Sequence, residues 1–186
     1  MNTKYWVAFS SIAELDPVFI KSLYEYFGDI ERAYNASEKD FAQIEGLKID
    51  KTKEFLKARG RINPDKVYEE VEKRGINILT LDDARYPYML RQISNSPAVL
   101  YYKGDIFSCN LKRTVAFVGS RRASTNGKDS VRRVINDFRG TDICIVSGLA
   151  EGIDAVSHRS AIENGLKTIG VIATFINGNG VPPGPS

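Results

Sequence analysis

The sequence predicts an α/β protein in which a small helical N-terminal domain precedes a partial, doubly wound parallel sheet. The first 75 residues contain several helix start and stop signals. After residue 110, apolar strand-like segments alternate with segments of helical periodicity. The chain has 186 residues, 42% of them hydrophobic, which is enough for two small domains with modest cores. We therefore expect a helical domain over residues 1–70, a sheet domain over residues 71–176 and a disordered tail over residues 177–186.

The helices of the first domain are predicted by their capping residues. Three capping signals precede apolar segments: Asp16 before Pro17, Ser37 with Asp40, and Asn63 before Pro64. Gly28 and Gly75 then suit the residue after a helix end, because glycine adopts the left-handed conformation at little cost. About four short helices follow from these signals.

One turn between these helices partly matches a helix-hairpin-helix pattern. Phe41, Ile44, Gly46 and Leu47 fit it, and in such a turn backbone N–H groups face a nucleic-acid phosphate. Lys48 stands where the second glycine of the pattern belongs. An ordinary interhelical turn in which Phe41 and Ile44 pack inward is the alternative interpretation.

Strand signals begin after residue 75. The segments Asn77–Leu81 and Ala98–Tyr102 are short apolar runs typical of strands. The tyrosines around them, Tyr86, Tyr88, Tyr101 and Tyr102, have the chemistry to stack on bases, although half-buried packing is the favoured interpretation.

From Thr114 the chain alternates regularly between strands and helices. The strands are predicted at Thr114–Val118, Ile143–Val146 and Thr168–Ala173. Between the first two, apolar residues recur at helical spacing (Val131, Val134, Ile135 and Phe138), and a second helix is expected to end near Asn164. This order predicts a parallel sheet with right-handed crossovers, and such sheets bind ligands at the carboxyl ends of their strands.

The loop VGSRRASTNG lies at one such carboxyl end. Gly119 permits a sharp turn, Ser120 offers a hydroxyl and an N–H group, and the following helix N-terminus favours an anion. Arg121 and Arg122 add planar donors that suit phosphate oxygens. The loop therefore predicts an anion site, although it matches neither the GxGxxG nor the Walker A pattern.

The charge distribution favours a polyanionic ligand at the same place. Residues 1–110 carry 16 basic and 17 acidic side chains, a net charge of −1, whereas residues 111–186 carry 10 basic and 6 acidic ones, a net charge of +4. The alternative is a solvated helix face on which Asp129 pairs with Arg132 and Arg133.

Catalytic and metal chemistry find little support in the sequence. Ser147, Asp154 and His158 lack the G-x-S-x-G context of a hydrolase, and the last two lack a third zinc ligand. His158 is instead expected to be a hydrogen-bonded structural residue. Cys109 and Cys144 form no CxxC pair and are expected to be reduced, structural thiols. No apolar run reaches the roughly 18 residues of a membrane span, so we expect a cytoplasmic protein.

The segments GSRRAS and SGLAEGIDAVSHRSAIENGLKTIGVIA, preceded by YPYMLRQISNSPAVLYYKG, closely resemble the DNA-processing protein A (DprA/Smf) family. The resemblance implies a SAM-like helical domain, a Rossmann-like domain, and binding of single-stranded DNA that is handed to RecA during natural transformation. It implies no catalytic residue, cofactor or metal. The DNA-binding residues that it implies are Gly119, Ser120, Arg121, Arg122 and Lys128, with Ser147, Gly148, Ala150 and Gly152 on the opposite wall.

The sequence departs from this family after Ala173. Six of the ten residues 177–186 are glycine or proline, which cannot continue a buried strand. We expect a foreign tail on a truncated copy, in which the homodimer of the family is doubtful. The alternative function is that of a Rossmann-like nucleoside-monophosphate phosphoribohydrolase, but the chain lacks the PGGxGTxxE stretch of those enzymes.

Overall fold

The computed structural model describes residues 2–13, 15–47 and 49–172, which form two compact units that divide between Lys103 and Gly104. The expected boundary after residue 70 lies inside the first unit and stays a prediction. The expectations for residues 173–186, including the end of the last strand and the foreign tail, lie outside the described residues.

The first unit contains several helices and a two-stranded sheet. The six helices that precede the sheet are α1 (Thr3–Ser10), α2 (Pro17–Phe27), α3 (Ile30–Asn35), α4 (Glu38–Phe41), α5 (Ile49–Arg59) and α6 (Pro64–Lys73). The capping signals did not predict α1, which has no side-chain cap.

The predicted caps form as expected. The carboxylate of Asp16 accepts from the N–H of Phe19 at 2.8 Å, and the amide oxygen of Asn63 accepts from two N–H groups of the first turn of α6. Ser37 and Asp40 form a reciprocal capping box. These hydrogen bonds satisfy N–H groups that have no partner inside the helix, which explains why the helices begin there.

Aromatic packing holds the helices of the first unit together. The rings of Phe9 and Phe55 stack with centroids 4.8 Å apart, and Tyr34 meets both rings edge to face or nearly so. Phe41 is buried and packs edge to face on Phe55, while Gly46 turns with φ +77°. The inward packing of Phe41 agrees with an ordinary interhelical turn.

The two strands of the first unit, β1 (Asn77–Thr80) and β2 (Val99–Tyr102), pair antiparallel with Asn77 opposite Tyr102. The helix α7 (Tyr88–Arg91) lies between them in the chain. Tyr86 is buried and donates to the carbonyl oxygen of Pro97 at 2.8 Å, and the Tyr101 hydroxyl lies 2.8 Å from that of Ser10. Packing therefore accounts for these two tyrosines, whereas Tyr88 is exposed.

The second unit is a two-layer fragment of alternating strands and helices, in which both helices pack on the same face of the sheet. A single 3₁₀ turn (Ile106–Ser108) precedes β3 (Thr114–Ala116), α8 (Thr125–Asp137), β4 (Cys144–Gly148), α9 (Ile153–Glu163) and β5 (Lys167–Val171). The strands are parallel in the order β3-β4-β5, with Ala116 opposite Val146 and Val146 opposite Ile169. This architecture confirms the predicted α/β class with a Rossmann-like parallel sheet.

The core of the second unit lies between the sheet and its two helices. Ile135, Ile145, Ala161 and Leu166 are buried together, and Val131 and Phe138 pack against them. Val134, which the helical periodicity also placed on the apolar stripe, is 45% exposed. Among the described helices, none combines the length and apolar character that crossing a membrane requires.

Candidate nucleic-acid interface

Two loops lie side by side at the carboxyl edge of the parallel sheet. Loop A (residues 117–124) follows β3, and loop B (residues 149–152) follows β4. Because β3 and β4 are paired parallel neighbours, their following loops emerge at the same edge. The structure thus brings together the two segments that the sequence analysis proposed as opposite walls of a site.

Hydrogen bonds fasten the two loops to each other. The Ser147 hydroxyl donates to the carbonyl oxygen of Phe117 at 2.7 Å, and the N–H of Ile153 donates to the carbonyl oxygen of Ser120 at 3.2 Å. The first bond joins loop A to β4 just before loop B, and the second joins it to the first residue of α9 just after loop B. Loop A is therefore positioned by residues on both sides of loop B.

Two glycines permit this close approach. A β-carbon on Gly119 would lie 2.6 Å from Cγ1 of Ile153, and one on Gly152 would overlap the carbonyl oxygens of Ser120 and Arg121. Gly152 also has φ +81°, which side chains disfavour. Both positions require glycine for a packing reason that the sequence alone did not reveal.

The loop keeps several N–H groups available for an anion. The Ser120 hydroxyl accepts from the N–H of Arg122 at 3.0 Å, and Ser124 caps α8 by accepting from Gly127 at 3.2 Å. Within the described part of the chain, the N–H groups of Gly119, Ser120 and Arg121 have no acceptor. With the N-terminus of α8 behind them, these donors suit phosphate oxygens.

The arginines of loop A are exposed cations. Neither Arg121 nor Arg122 has a carboxylate within ion-pair distance among residues 2–13, 15–47 and 49–172. Lys128 is half-buried on the first turn of α8. Arg132 instead pairs with Asp129 at 2.7 Å, so the solvated-face interpretation holds for that residue.

Loop B presents an apolar side chain, and a buried carboxylate follows it in the first turn of α9. The N–H of Ala150 donates to the carbonyl oxygen of Gly148 at 2.8 Å, which makes a tight turn, and Leu149 at its tip is 66% exposed. Asp154, in the first turn of α9, is only 9% exposed and points at Gly148. From the sequence, Asp154 entered only the rejected hydrolase and metal interpretations, although its place directly after loop B was a usable signal.

Two residues of the rejected hydrolase interpretation, Ser147 and His158, have other partners. Ser147 is engaged with Phe117, as described above, and Nδ1 of His158 lies 2.7 Å from the hydroxyl of Thr168. That hydroxyl donates its proton to the carbonyl oxygen of Ile145, so we assign the His158 proton to Nδ1, which then donates to Thr168. His158 is therefore a hydrogen-bonded structural residue, with a buried Nε2 that has no partner in the described residues.

The described residues provide neither a metal-binding cluster nor a reactive thiol at this site. Across the described residues, no three His, Cys, Asp or Glu side chains lie together as a metal ion would need. Cys109 and Cys144 are free and buried, and burial raises the pKa of the Cys144 thiol to about 12, with a further contribution from its neighbour Cys109. A thiol with so high a pKa is unreactive near neutral pH.

Several known proteins are similar to this chain in sequence. "Protein Smf" of Synechocystis sp. is 32% identical over 176 residues, which are 93% of this chain and 44% of that protein. "DNA processing protein DprA" of Streptococcus pneumoniae is 44% identical over 97 residues, which are 52% of this chain and 33% of that protein. This chain thus spans less than half the length of these curated relatives.

A solved structure and a family model agree with these matches. The X-ray structure of DNA processing protein A (DprA) from Streptococcus pneumoniae superposes with a TM-score of 0.72 at 33% identity, covering 91% of this chain and 56% of that one. The family model described as DNA recombination-mediator protein A matches residues 77–180, more than half of the chain. The chain therefore belongs to the DNA recombination-mediator protein A family.

Proposed function

We propose that the carboxyl edge of the β3-β4-β5 sheet binds single-stranded DNA through loops A and B. The observation that carries this proposal is that two exposed arginines without carboxylate partners in the described residues share loop A with N–H groups that have no acceptor there. Guanidinium groups and backbone donors are the groups that proteins direct at phosphates. A phosphodiester backbone supplies several such anions in sequence, which one small metabolite does not.

A flexible single strand fits this site better than a duplex. Loop A is short and braced by loop B, so it presents its donors from a compact surface and not from a helix or ribbon that would fill a groove. A single strand can bend its phosphates toward such a surface while its bases remain accessible. We therefore expect preference for unpaired over paired DNA.

The names of the relatives support a role in DNA processing and recombination. The family is described as a recombination mediator, and relatives in Bacillus subtilis and Streptococcus pneumoniae are called DNA processing protein DprA. We propose that the DNA-bound protein supports the loading of a RecA-type recombinase during DNA uptake. It acts by binding, without a catalytic step of its own.

Fluorescence anisotropy with labelled 20-nucleotide single strands and the matching duplex tests this function. We expect tighter binding of the single strand, and an Arg121→Ala/Arg122→Ala variant that loses affinity for every base sequence alike. Arg139→Ala/Lys167→Ala is the matched control, because these exposed cations lie near the C-terminal end of α8 and at the start of β5, at the opposite edge of the sheet. Equal binding of single strand and duplex would contradict the proposal.

A second assay addresses the alternative enzyme. Incubation with AMP, followed by chromatography of the products, measures phosphoribohydrolase activity directly. We expect no release of adenine. Release of adenine in proportion to the protein concentration would contradict the binding role and support the phosphoribohydrolase function.

A further inference from the structure

Helix α5 and the turn after it hold most of the positive charge of the first unit. Residues 48–61 carry six basic and two acidic side chains, a net charge of +4, whereas the rest of residues 1–110 carry ten basic and fifteen acidic ones, a net charge of −5. Charge segregated in this way creates a local positive potential that attracts polyanions. This segment belongs to the first unit, whereas loops A and B belong to the second.

Three of these cations follow one another along one side of α5. They are named the α5 stripe, and they are Lys53, Lys57 and Arg61. Their four-residue spacing places successive side chains about 6 Å apart along the helix axis and on neighbouring positions of one face. The turn continues to Arg61, whose N–H donates to the carbonyl oxygen of Ala58 at 2.9 Å. All three side chains are exposed, while Phe55 on the other side of the helix is buried in the core.

The α5 stripe has no carboxylate within ion-pair distance in the described parts of the chain. The other cations of α5 do have partners. Lys51 lies 3.4 Å from Glu54, and Arg59 donates to the carbonyl oxygens of Tyr34 and Ala36 at 2.6 Å and 2.7 Å. Because like charges four residues apart repel each other, the stripe weakens the helix unless an anion binds to it.

Neither the helix dipole nor a membrane accounts for the stripe. The partial negative charge at the C-terminal end of α5 favours Lys57 and Arg61, but it does not reach Lys53 in the middle of the helix. A helix that lies on an anionic membrane buries a broad apolar face in the lipid. Of the large apolar side chains of α5, only Ile49 is mostly exposed, and Phe55 packs inside the unit.

We propose that the α5 stripe is a second contact surface for the phosphate backbone of the single-stranded DNA that loops A and B bind. Each cation of the stripe neutralises one phosphate, and the axial spacing of about 6 Å is of the same order as the spacing of phosphates along an extended single strand. Contacts to phosphates carry no sequence information, so the stripe adds affinity without base preference. This inference rests on the proposed function and extends it to the first unit.

Two triple variants of equal charge test this surface. The stripe variant carries Lys53→Gln, Lys57→Gln and Arg61→Gln. The control variant removes three lysines from other helices of the same unit, each paired with a carboxylate at 2.8, 3.9 or 3.7 Å: Lys4→Gln, Lys21→Gln and Lys73→Gln. Both variants lose three positive charges, so they differ only in whether those charges are free to meet a phosphate.

Fluorescence anisotropy with a labelled 20-nucleotide strand, measured at several salt concentrations, gives the readout. We expect the stripe variant to bind about tenfold or more weakly than the parent at about 0.1 M salt. Its log–log slope should be flatter by about 2.1, at about 0.7 per phosphate, while the control variant stays close to the parent in both.

Two further measurements separate a lost contact from a lost structure. Removing like charges four residues apart relieves their repulsion, so the stripe variant should melt no lower than the parent. The conservative variant Lys53→Arg/Lys57→Arg keeps every charge and should bind DNA like the parent. A comparable loss of affinity in this conservative variant would show that the charge is not what binds, and would overturn the proposal.

The outcomes separate the α5 stripe from the proposed function. A stripe variant with the affinity and slope of the parent, while Arg121→Ala/Arg122→Ala still loses affinity, would overturn the stripe and leave DNA binding by loop A standing. Equal losses in the stripe and control variants would reduce the effect to net charge and overturn it as well. So would unchanged DNA binding together with stripe-dependent sedimentation on vesicles of phosphatidylserine and phosphatidylcholine, which would assign the stripe to a membrane. If the parent does not bind the 20-nucleotide strand, both proposals fail.

Discussion

The backbone of Gly152 lies directly against the carbonyl oxygen of Ser120, and the next N–H, that of Ile153, donates to the same oxygen at 3.2 Å. This contact joins the N-cap of α9 to the centre of loop A. It makes the conformation of the arginine-bearing loop depend on a glycine 32 residues later in the chain. The site is thus preorganised by backbone packing, and its binding groups need little rearrangement to meet a ligand.

Gly152→Ala should disrupt DNA binding through loop A. The added methyl group overlaps two carbonyl oxygens and also strains a residue with φ +81°. Gly165→Ala is the control, because Gly165 has a similar φ of +73° but no atom within 4 Å of its β-carbon position. We expect Gly165→Ala to lose about 1–2 kcal/mol of stability from backbone strain, and Gly152→Ala to lose more, because its methyl group also overlaps two carbonyl oxygens. Of the two variants, only Gly152→Ala should lose most of its DNA affinity. Equal affinity losses would show that the contact with Ser120 is irrelevant.

Gly119→Ala should be rescued by shortening Ile153. A β-carbon on Gly119 would crowd Cγ1, Cβ and Cγ2 of Ile153, and overpacking of this kind costs about 1–3 kcal/mol. In Gly119→Ala/Ile153→Ala the crowding atoms are largely gone. Urea denaturation of both single variants and the double variant should therefore give a double variant that is less destabilised than the sum of the singles, by about 0.5–3 kcal/mol.

Gly127→Ala serves as the control for that cycle. Gly127 lies inside α8, and its nearest neighbour atom would be 3.4 Å from the new β-carbon. Replacing a helical glycine by alanine is worth up to about 1 kcal/mol, so stability should rise or hold. Strict additivity of Gly119→Ala with Ile153→Ala would mean that the two side chains do not compete for space.

The stability of the protein should fall as the pH rises above 9. The pKa of Cys144 is raised from 9.0 to about 12 by burial and by the neighbouring Cys109 thiol. The folded state therefore retains a proton that the unfolded state loses, so the free energy of unfolding decreases with pH between about 9 and 12, by up to about 1.4 kcal/mol per pH unit.

Thermal melts from pH 8 to pH 10 check this dependence. Cys144→Ala removes the thiol and should flatten the decline in that range. Burial also raises the pKa of Tyr86 from 10.0 to about 12, so this tyrosine adds to the loss of stability at higher pH. Measurements that stop at pH 10 keep its contribution small. An unchanged decline in Cys144→Ala would exclude this thiol as the cause.

Local signals in the sequence predicted the fold well where one residue type decides the structure. Asp16, Ser37 and Asn63 cap helices because their side chains satisfy N–H groups in the next turn, which depends on neighbours in the chain alone. The strands and helices after Thr114 were likewise predicted by periodicity, with end errors of a few residues. Helix α1 was not, since no side chain caps it and packing of residues such as Phe9 on Phe55 holds it in place.

The candidate site was predictable only in part, because its geometry depends on contacts between distant residues. Loop A was identified by its glycine, serine and arginines, and the parallel topology predicted that loop B would lie beside it. The fit of Gly152 against Ser120 and the direction of Asp154 toward Gly148 arise from side-by-side packing that leaves no local pattern. The exposure of Leu149 could not be predicted for the same reason, because its neighbours in the sequence resemble those of a buried leucine.

The salt dependence of single-strand binding tests the central claim most directly. Affinity for a 20-nucleotide strand is measured at several salt concentrations for the parent protein, for Arg121→Ala/Arg122→Ala and for the control Arg139→Ala/Lys167→Ala. If each loop A arginine neutralises one phosphate, the double variant should flatten the log–log slope by about 1.4, at about 0.7 per phosphate, while the control keeps the parent slope. A loop A double variant with the affinity and slope of the parent would contradict the claim that this loop holds the DNA backbone.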